Sequence, residues 1–433
     1  MKIYSFPRGG LSFDDPTAPP KSTAVDAFLP ALSVIPLGDS INRVFPVVSM
    51  GEMVREGMLI GKASSSGAVN AHAAVPGRVI RKALWKDREG LENEGLVIRM
   101  EGAFEKLGKK EEVFSWNGLS GYDLQKIISD FGIVEMENSG RPLADMISVS
   151  RRDNEKMTLV VRCVFDDPWL AADYALCSDR LKAVTEGAVI VAKACLRVSQ
   201  IIFAVSHRES ELGERLIGEA GNWGIPASLV LTGSRYPQRN NRELELALRI
   251  YEKKEGNDLG SLLILGPAAL AAAYDAVKHK KPILDRYVAV GGSAVKQPQI
   301  MKARIGTRIG ELIEQCGGFI EPPHRIVTGS PLLGKEVMFL DEPVGKTCYA
   351  IAAMSKSQAS DHQQQNCINC GECRAVCPVG LDPQNIYKRI KTPGMENIPC
   401  AGCHGCGCCE VVCPSALPLS ETILEKTREA MGV

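Results

Sequence analysis

Two cysteine runs near the end of the chain share one spacing, and this repeat restricts the possible folds more than any other feature. In each run three cysteines are separated by two residues, and a fourth follows three residues later and directly precedes proline. Three thiolates at this spacing can surround one face of an iron–sulfur cubane, while the cysteine before proline is directed towards a second cluster. The runs are Cys367-x2-Cys370-x2-Cys373-x3-Cys377-Pro378 and Cys403-x2-Cys406-x2-Cys409-x3-Cys413-Pro414.

The repeat predicts two [4Fe–4S] clusters with crossed ligation. A pair of structural zinc knuckles is the alternative, but zinc needs only four ligands per site and makes no use of a cysteine placed before proline. The spacing therefore favours an electron relay formed by two neighbouring clusters. The first predicted ligand set is Cys367, Cys370, Cys373 and Cys413, and the second is Cys377, Cys403, Cys406 and Cys409.

The remaining cysteines are predicted to be packing residues. Cys400 precedes the second run and Cys408 lies within it but outside its ligand spacing; for these two, a redox pair or substitute ligands are the alternatives to packing. The chain of 433 residues has no apolar signal segment at its start and no stretch typical of a membrane span. We therefore expect a reducing cytoplasm rather than a secreted disulfide scaffold. Five cysteines in apolar contexts are expected in the core: Cys163, Cys177, Cys195, Cys316 and Cys348.

Charge excludes some partners. Lys and Arg total 51, as do Asp and Glu, so the net charge is zero, which argues against charge-driven binding of nucleic acid or of a membrane surface. The segment Lys388-Arg-Ile-Lys391 between the two cysteine runs could dock an acidic ferredoxin or flavodoxin. A solvated helix face is the simpler interpretation of that segment.

Hydrophobic patterning predicts a multidomain α/β protein of five parts. Short apolar runs separated by turns predict a lipoyl-like barrel-sandwich hybrid domain, whose central stretch, residues 68–76, lacks the lysine that a carrier domain would need. Apolar runs alternating with helical patterns predict a Rossmann-like domain with a mainly parallel sheet. The predicted parts are an extended arm over 1–30, the barrel-sandwich domain over 31–105, the Rossmann-like domain over 120–280, a β-grasp-like module over 284–350, and a helical two-cluster ferredoxin-type domain over 355–433.

Several stretches resemble one family across nearly the whole chain. The most specific is Cys403-His-Gly-Cys-Gly-Cys-Cys-Glu-Val-Val-Cys-Pro-Ser-Ala-Leu-Pro418, in which the extra Cys408 also matches. The chain resembles the C subunit of the Rnf ion-translocating electron transport complex, which is itself similar to the NADH-binding flavoprotein subunit of respiratory complex I. Other matching stretches are Phe6-Pro-Arg-Gly-Gly-Leu11, Asp167-Pro-Trp-Leu-Ala-Ala-Asp-Tyr174, Arg235-Tyr-Pro-Gln238, Ile305-Gly-Thr307 and Gly329-Ser-Pro-Leu-Leu-Gly334.

One family feature is missing. Members with a nicotinamide and flavin site carry a loop of the form G-M-G-G-A-G-F-P-T, where this chain has Glu135-Met-Glu-Asn-Ser-Gly-Arg-Pro-Leu143. Glycine lets backbone N–H groups approach a phosphate, whereas two carboxylates beside a pyrophosphate would repel it. Arg141 and Arg162 are candidates to offset these acids. The positions Glu135, Glu137, Asn138 and Gly140 therefore argue against FMN and NADH binding, and we expect no catalytic residue here.

The resemblance implies an iron–sulfur electron-transfer subunit of a membrane-associated oxidoreductase and translocase. Its expected partners are the membrane subunits of an Rnf-like complex, with ferredoxin or flavodoxin as electron donor, and its expected place is the cytoplasmic side of the cell membrane. A soluble relay that feeds a cytoplasmic reductase, of the proline reductase type, is the alternative. A scaffold whose clusters are only structural is a third hypothesis.

Overall fold

The computed structural model of the chain describes residues 2–12, 14–65, 67–88, 90–137, 139–150, 156–221, 223–359, 364–392, 400 and 402–431. Strands in these ranges form four sheets, one parallel, one mixed and two antiparallel. The strands are β1 (Ile3–Tyr4), β2 (Val25–Asp26), β3 (Leu32–Asp39), β4 (Val44–Pro46), β5 (Met53–Val54), β6 (Leu59–Ala63), β7 (Ala71–His72), β8 (Gly77–Lys86), β9 (Glu92–Met100), β10 (Met157–Cys163), β11 (Val198–Ser206), β12 (Ala227–Thr232), β13 (Ser261–Leu265), β14 (Asp285–Gly291), β15 (Gln299–Arg304), β16 (Arg325–Thr328), β17 (Lys335–Glu336) and β18 (Ala350–Met354).

Helices alternate with the central strands and dominate the carboxy-terminal part of the chain. In the described ranges, no helix combines the length and the apolar composition that crossing a bilayer requires. The helices are α1 (Gly121–Asp130), α2 (Leu143–Ser150), α3 (Ala171–Asp179), α4 (Leu181–Cys195), α5 (Ser210–Ala220), α6 (Asn241–Glu255), α7 (Pro267–Lys278), α8 (Ile309–Gln315), α9 (Lys356–Ala359), α10 (Glu372–Ala375), α11 (Pro383–Ile390), α12 (Cys408–Val411) and α13 (Leu419–Met431).

The parallel sheet has the strand order β1-β12-β11-β10-β13, and the parallel pairing predicted from its apolar strands is confirmed. Strand β10 lies inside the sheet and all seven of its residues are buried, which explains why five of them are apolar. One face packs on α4 and α7, and the other packs on α6. Gly187 of α4 lies so close to the backbone of Leu270 in α7 that a side chain would separate the helices.

Residues 32–100 form the two antiparallel sheets, with orders β3-β9-β8-β5 and β4-β6-β7. Side chains that alternate along these strands meet in one core, which includes Ile35, Leu37, Ile60, Val79 and Ile98. The mixed sheet has the order β17-β16-β18-β14-β15-β2 and packs with α8 around a core of its own. The chain is thus a multidomain α/β protein that combines parallel, mixed and antiparallel sheets.

The predicted extended arm is incorporated into the rest of the protein. Its strand β1 pairs in parallel with β12, and β2 pairs in parallel with β15. Between them, Phe6 is almost fully buried, with 1% of its surface exposed. The arm therefore bridges two sheets, because its few apolar residues find partners that are distant in sequence.

Candidate functional site

The first predicted ligand set lies around one cavity. Cys367, Cys370, Cys373 and Cys413 line it together with the apolar side chains of Tyr387, Leu417 and Leu419. Cys373 is buried, Cys367 and Cys413 are partly buried, and Cys370 is exposed. The structure therefore brings the four sulfurs of this set to one place, close to the protein surface.

The second predicted set lies around a neighbouring cavity. Cys377, Cys403, Cys406 and Cys409 line it, with Cys408 and His404 beside them and Leu381 and Ile423 among its apolar residues. Cys373 of the first set and Cys409 of the second pack in one apolar cluster, so the two cavities adjoin. Each cavity combines three cysteines of one run with the cysteine before proline of the other run.

Local sequence explains how the cysteines reach these positions. Gly371 and Gly407 have φ angles of +80° and +77°, and each is followed at once by a short helix, α10 or α12, that carries a cysteine into its cavity. A left-handed turn of this kind favours glycine, because a Cβ would be strained there. The two runs thus fold as two copies of one turn, with Cys408 at the position that Glu372 occupies in the first copy.

Backbone N–H groups point at several of the thiols. Leu381 N–H donates to Cys377 Sγ at 3.3 Å. Burial raises the pKa of the Cys373 thiol, and the backbone N–H groups of Gln384 and Arg374 lower it in part. A hydrogen bond from the Cys408 thiol lowers the pKa of Cys406 to about 5 against the effect of burial. Such donors stabilise thiolate ligands, so the donor set and its surroundings fit an iron–sulfur cluster in each cavity.

In the described part of the chain, no three side chains among His, Cys, Asp and Glu are arranged to hold a single metal ion. Each cysteine of a cubane binds a different iron atom, whereas the ligands of a structural zinc ion converge on one point.

Other cysteines behave as packing residues. Cys400 and Cys408 are buried, with 3% and 0% of their surfaces exposed, and only Cys408 reaches the rim of a cavity. The five scattered cysteines are also buried, as predicted from their apolar surroundings. Cys163 Sγ and Cys177 Sγ lie 3.8 Å apart in the core of the α/β part.

The second cavity is attached to the α/β part by polar contacts that the sequence did not indicate. Tyr236 Oη donates to the carbonyl oxygen of Cys406 at 2.7 Å, and Arg242 Nη1 donates to that of Gly402 at 2.7 Å. His404 Nε2 lies 3.3 Å from Oε2 of Glu243, which is fully buried. These contacts hold the second cysteine set against the end of the parallel sheet.

The amino-terminal arm contacts the same region. Gly10 N–H donates to the Val376 carbonyl at 2.8 Å, next to Cys377. Gly9, with φ +63°, lies so close that a Cβ would be 2.6 Å from backbone atoms of Val376 and Cys377. The contacts join positions near residues 10 and 377, a separation over which sequence patterns carry no signal.

The acidic loop faces the protein interior. The Glu135 carboxylate accepts hydrogen bonds from the N–H groups of Glu137 at 3.0 Å and Ser139 at 2.7 Å. Gly140 has φ +62°, and Asn138 lies outside the described residues. Glu135 thus binds two backbone N–H groups of its own loop. A phosphate bound at this loop would need the same N–H groups as hydrogen-bond donors.

Glu137 is paired, but not by both arginines that the sequence suggested. Its Oε2 accepts hydrogen bonds from Arg162 and, at 2.6 Å, from Arg239, whereas Arg141 is exposed. Burial raises the pKa of Glu137, but the two guanidinium groups outweigh it and hold the pKa below its usual value. The expected role of Arg141 is therefore replaced by Arg239, because the loop turns Glu137 inward.

Asp166 lies near this ion group and has a different environment. Its Oδ2 accepts a hydrogen bond from Arg239 N–H at 3.0 Å, and burial raises the pKa of its carboxyl to about 7. Asp14, Asp15 and Asp166 line a cavity of about 890 Å³ at the carboxyl ends of the parallel strands, together with Lys21 and Arg208. The glycine-poor loop with its two buried carboxylates does not fit the pyrophosphate of a dinucleotide or the phosphate of a flavin.

Comparison with known proteins gives the family context. Residues 287–338 match the family model of the SLBB domain, within the predicted β-grasp module. The C subunit of the ion-translocating oxidoreductase complex of Rhodobacter capsulatus is 28% identical over 374 residues, which cover 85% of this chain and 71% of that protein. The predicted resemblance to these C subunits is confirmed.

The names of two further relatives specify the reaction of their complexes. The C subunit of the proton-translocating ferredoxin:NAD(+) oxidoreductase complex of Clostridium ljungdahlii is 27% identical over 87% of this chain and 82% of its own length. The C subunit of the Na(+)-translocating ferredoxin:NAD(+) oxidoreductase complex of Acetobacterium woodii is 26% identical over 82% and 81%. The similar C subunits are thus named as parts of oxidoreductase complexes that translocate ions.

Among solved structures, a chain of an NAD+-reducing [NiFe]-hydrogenase in the H2-reduced state aligns with 63% of this chain and 53% of its own length. The TM-score is 0.48 and the sequence identity is 12%. A likeness of this size supports no inference about activity.

Proposed function

We propose that this chain is the iron–sulfur electron-transfer subunit of a membrane-associated, ion-translocating oxidoreductase complex of the Rnf type. The observation that carries the proposal is the pair of adjoining cavities, each lined by the four cysteines that crossed ligation requires. Cys367, Cys370, Cys373 and Cys413 would hold one [4Fe–4S] cluster, and Cys377, Cys403, Cys406 and Cys409 the other. When bound, such clusters supply one-electron transfer, so the chain would act as a relay.

The two cavities differ in exposure, and this suggests a direction for the relay. Cys370 is exposed and Ile368 beside it is 64% exposed, so an external partner can approach the first cluster site. Lys388 and Lys391 lie on and next to α11, which provides Tyr387 to the same cavity. A basic rim of this kind would attract an acidic ferredoxin or flavodoxin as the electron donor.

The second site is covered by other parts of the same chain. It is covered by the arm and by the α/β part through Gly10, Tyr236 and Arg242. We propose that the chain sits on the cytoplasmic side of the cell membrane as a peripheral subunit, held by membrane subunits that complete the translocase. The C-subunit names of its relatives support this assembly.

We propose that FMN and NADH are not cofactors of this chain, although two relatives are named as subunits of ferredoxin:NAD(+) oxidoreductase complexes. The loop in which Glu135 and Glu137 lie satisfies its own donors and holds a buried carboxylate. Electrons would therefore enter at the cluster end of the chain and not from a nicotinamide at the α/β part.

The domain limits are proposed as an arm over 1–30, a barrel-sandwich hybrid domain over 31–105, a Rossmann-like domain over 120–280, an SLBB/β-grasp module over 284–350 and a ferredoxin-type two-cluster domain over 355–433. The pairing of β3 to β9 within the second part and of β10 to β13 within the third supports these limits. Residues 360–363, near the start of the last part, lie outside the described residues.

An anaerobic titration tests the proposal. The purified full chain, reconstituted with iron and sulfide to about eight iron atoms, is titrated with NADH and then with dithionite while cluster absorbance is followed. We expect bleaching by dithionite alone. Bleaching by NADH together with stoichiometric flavin would contradict the proposed absence of a nucleotide site, and no bleaching by dithionite would favour clusters that are only structural.

Cell fractionation separates the membrane complex from the alternative, a soluble relay that feeds a cytoplasmic reductase of the proline reductase type. We expect the chain in the membrane fraction, and its release when the genes of its membrane partners are deleted. A chain that stays in the soluble fraction in both strains would support the soluble relay.

A further inference from the structure

The parallel sheet has a crevice where ligands of open α/β sheets usually bind. The chain leaves β10 towards β11 on one side, and β13 lies on the other side of β10. In such sheets the crevice beyond the carboxyl ends of the strands, at this change of direction, is the preferred ligand site. Arg162 lies near the end of β10 and Gly266 directly follows β13, so these residues border the crevice.

The crevice contains the side chain of Glu137. Glu137 is 4% exposed, and Oε2 accepts hydrogen bonds from the guanidinium groups of Arg162 and Arg239. Its carboxylate also packs on Gly266, where a Cβ would overlap with Oε1. Gly266 is the residue before α7, a helix of 12 residues whose first turn attracts negative charge. Two guanidinium groups, a helix start and a residue without a side chain are the components of an oxyanion site.

The arginines are held in place without Glu137. Arg162 Nη1 donates to Asn241 Oδ1 at 2.5 Å and to the carbonyl of Arg239 at 3.3 Å. Arg162 Nε is buried and has no hydrogen-bond partner among the described residues, so the site retains an unused donor. The guanidinium of Arg239 lies 5.8 Å from the ring centre of Tyr349. Removal of the Glu137 carboxylate would therefore leave two guanidinium groups directed at the crevice, with Oε1 of Glu135 at a longer distance of 3.8 Å from Arg162 Nη2.

The backbone of the loop keeps Glu137 inside. The carboxylate of Glu135 binds the N–H groups on both sides of residue 138, as described above, and Glu135 is itself 6% exposed. An ion pair at the protein surface would not need a loop backbone fixed by hydrogen bonds to a second carboxylate. The loop thus places one carboxylate where the sheet would otherwise accept an outside anion.

We propose that Glu137 is a built-in anion that closes a preformed oxyanion site, and that this site binds an inorganic oxyanion of the size of phosphate when the carboxylate is removed. The site lies in the crevice between β10 and β13, and phosphate binding there does not require the iron–sulfur clusters. In the native chain the Glu137 carboxylate excludes phosphate groups from this site. This inference rests on the proposed absence of FMN and NADH binding and gives that absence a specific cause.

The test compares phosphate binding by the reconstituted full chain and two variants, using calorimetric titration with inorganic phosphate at constant ionic strength. Glu137→Ala opens the crevice, whereas Glu137→Gln removes the charge but keeps the volume. We expect Glu137→Ala to bind one phosphate per chain at least tenfold more tightly than the native chain and Glu137→Gln. Binding equal to that of the native chain would overturn the proposal.

Thermal unfolding provides a second measurement, because a ligand that binds only the folded state raises the melting temperature. Phosphate should raise the melting temperature of Glu137→Ala relative to equal ionic strength of chloride, and leave that of the native chain unchanged. If Glu137→Ala folds only in phosphate, that result also supports the proposal. If it stays unfolded in both salts while Glu137→Gln folds, the proposal is wrong, because the crevice then accepts no outside anion.

Discussion

Replacing Gly9 by alanine tests whether the amino-terminal arm stabilises the second cysteine site. Gly9 has φ +63°, and a Cβ there would lie 2.6 Å from the backbone of Val376 and Cys377. The left-handed conformation costs an alanine about 1–2 kcal/mol. Moving the arm away would also break the hydrogen bond from Gly10 N–H to the Val376 carbonyl, worth about 1 kcal/mol. We expect the cluster region to lose about 2–3 kcal/mol of unfolding free energy.

Two optical signals separate the cluster region from the rest of the chain. All four tryptophans precede residue 224, so their fluorescence reports on the amino-terminal and α/β parts, while cluster absorbance reports on the carboxy-terminal part. Anaerobic guanidinium unfolding of the reconstituted protein follows both signals. In Gly9→Ala the absorbance transition should move to a lower denaturant concentration, with a smaller shift of the fluorescence transition.

Gly51→Ala is the matched control. Gly51 also has a left-handed backbone, with φ +85°, but no atom lies within 4 Å of the position of its Cβ. The control therefore carries only the backbone cost of about 1–2 kcal/mol and should leave cluster absorbance unchanged. Equal effects of the two substitutions on the absorbance transition would refute the structural role of the arm.

Three further predictions concern the cluster ligands, a buried carboxyl and the basic rim. Cys370→Ala should reduce iron from about eight to about four atoms per chain, whereas Cys400→Ala should retain it; unchanged iron in Cys370→Ala would show that the ligand assignment is wrong. Burial raises the pKa of Asp166 to about 7, so the folded chain keeps a proton that the unfolded chain releases above about pH 4, and the unfolding free energy should fall as pH rises between these values. Asp166→Asn should lack this fall when denaturant unfolding is compared at pH 5 and pH 8, and parallel curves would contradict the assignment. Lys388→Glu should slow reduction by reduced ferredoxin at low salt in stopped-flow measurements, with the difference lost at high salt; an equal effect of Lys253→Glu, in the last turn of α6, would exclude a local docking surface.

The parts of the fold that the sequence predicted are those in which local pattern and tertiary structure agree. Strand β10 is mostly apolar because helices cover both faces of its sheet, so the run from Leu159 to Val161 predicts a buried strand, whereas the burial of Arg162 is not visible in the sequence. The cysteine runs carry similar local information, since Gly371 and Gly407 set the turn that each short helix needs. The strand spans seven residues and each cysteine run eleven, within the range over which a single sequence can be interpreted.

The contacts that escaped prediction join residues far apart in the chain. Arg239 binds Glu137, and Tyr236 binds the backbone of Cys406, across 102 and 170 positions respectively. Neither pair has a spacing or composition that marks it, because any arginine could offset a buried glutamate. Arg141 is close in sequence to the loop acids and is a reasonable partner for them on that ground, but it is exposed.

The acidic loop at residues 135–143 and the two cysteine cavities differ in which groups occupy the positions of a ligand. At the loop, Glu135 occupies backbone donors and Glu137 occupies two arginines, so the polypeptide itself satisfies the groups that a phosphate would need there. At the cavities, the cysteines converge without satisfying one another, apart from the bond between Cys408 and Cys406. The loop is thus closed by its own carboxylates, whereas each cavity keeps four cysteines in the arrangement that an added iron–sulfur cluster would require.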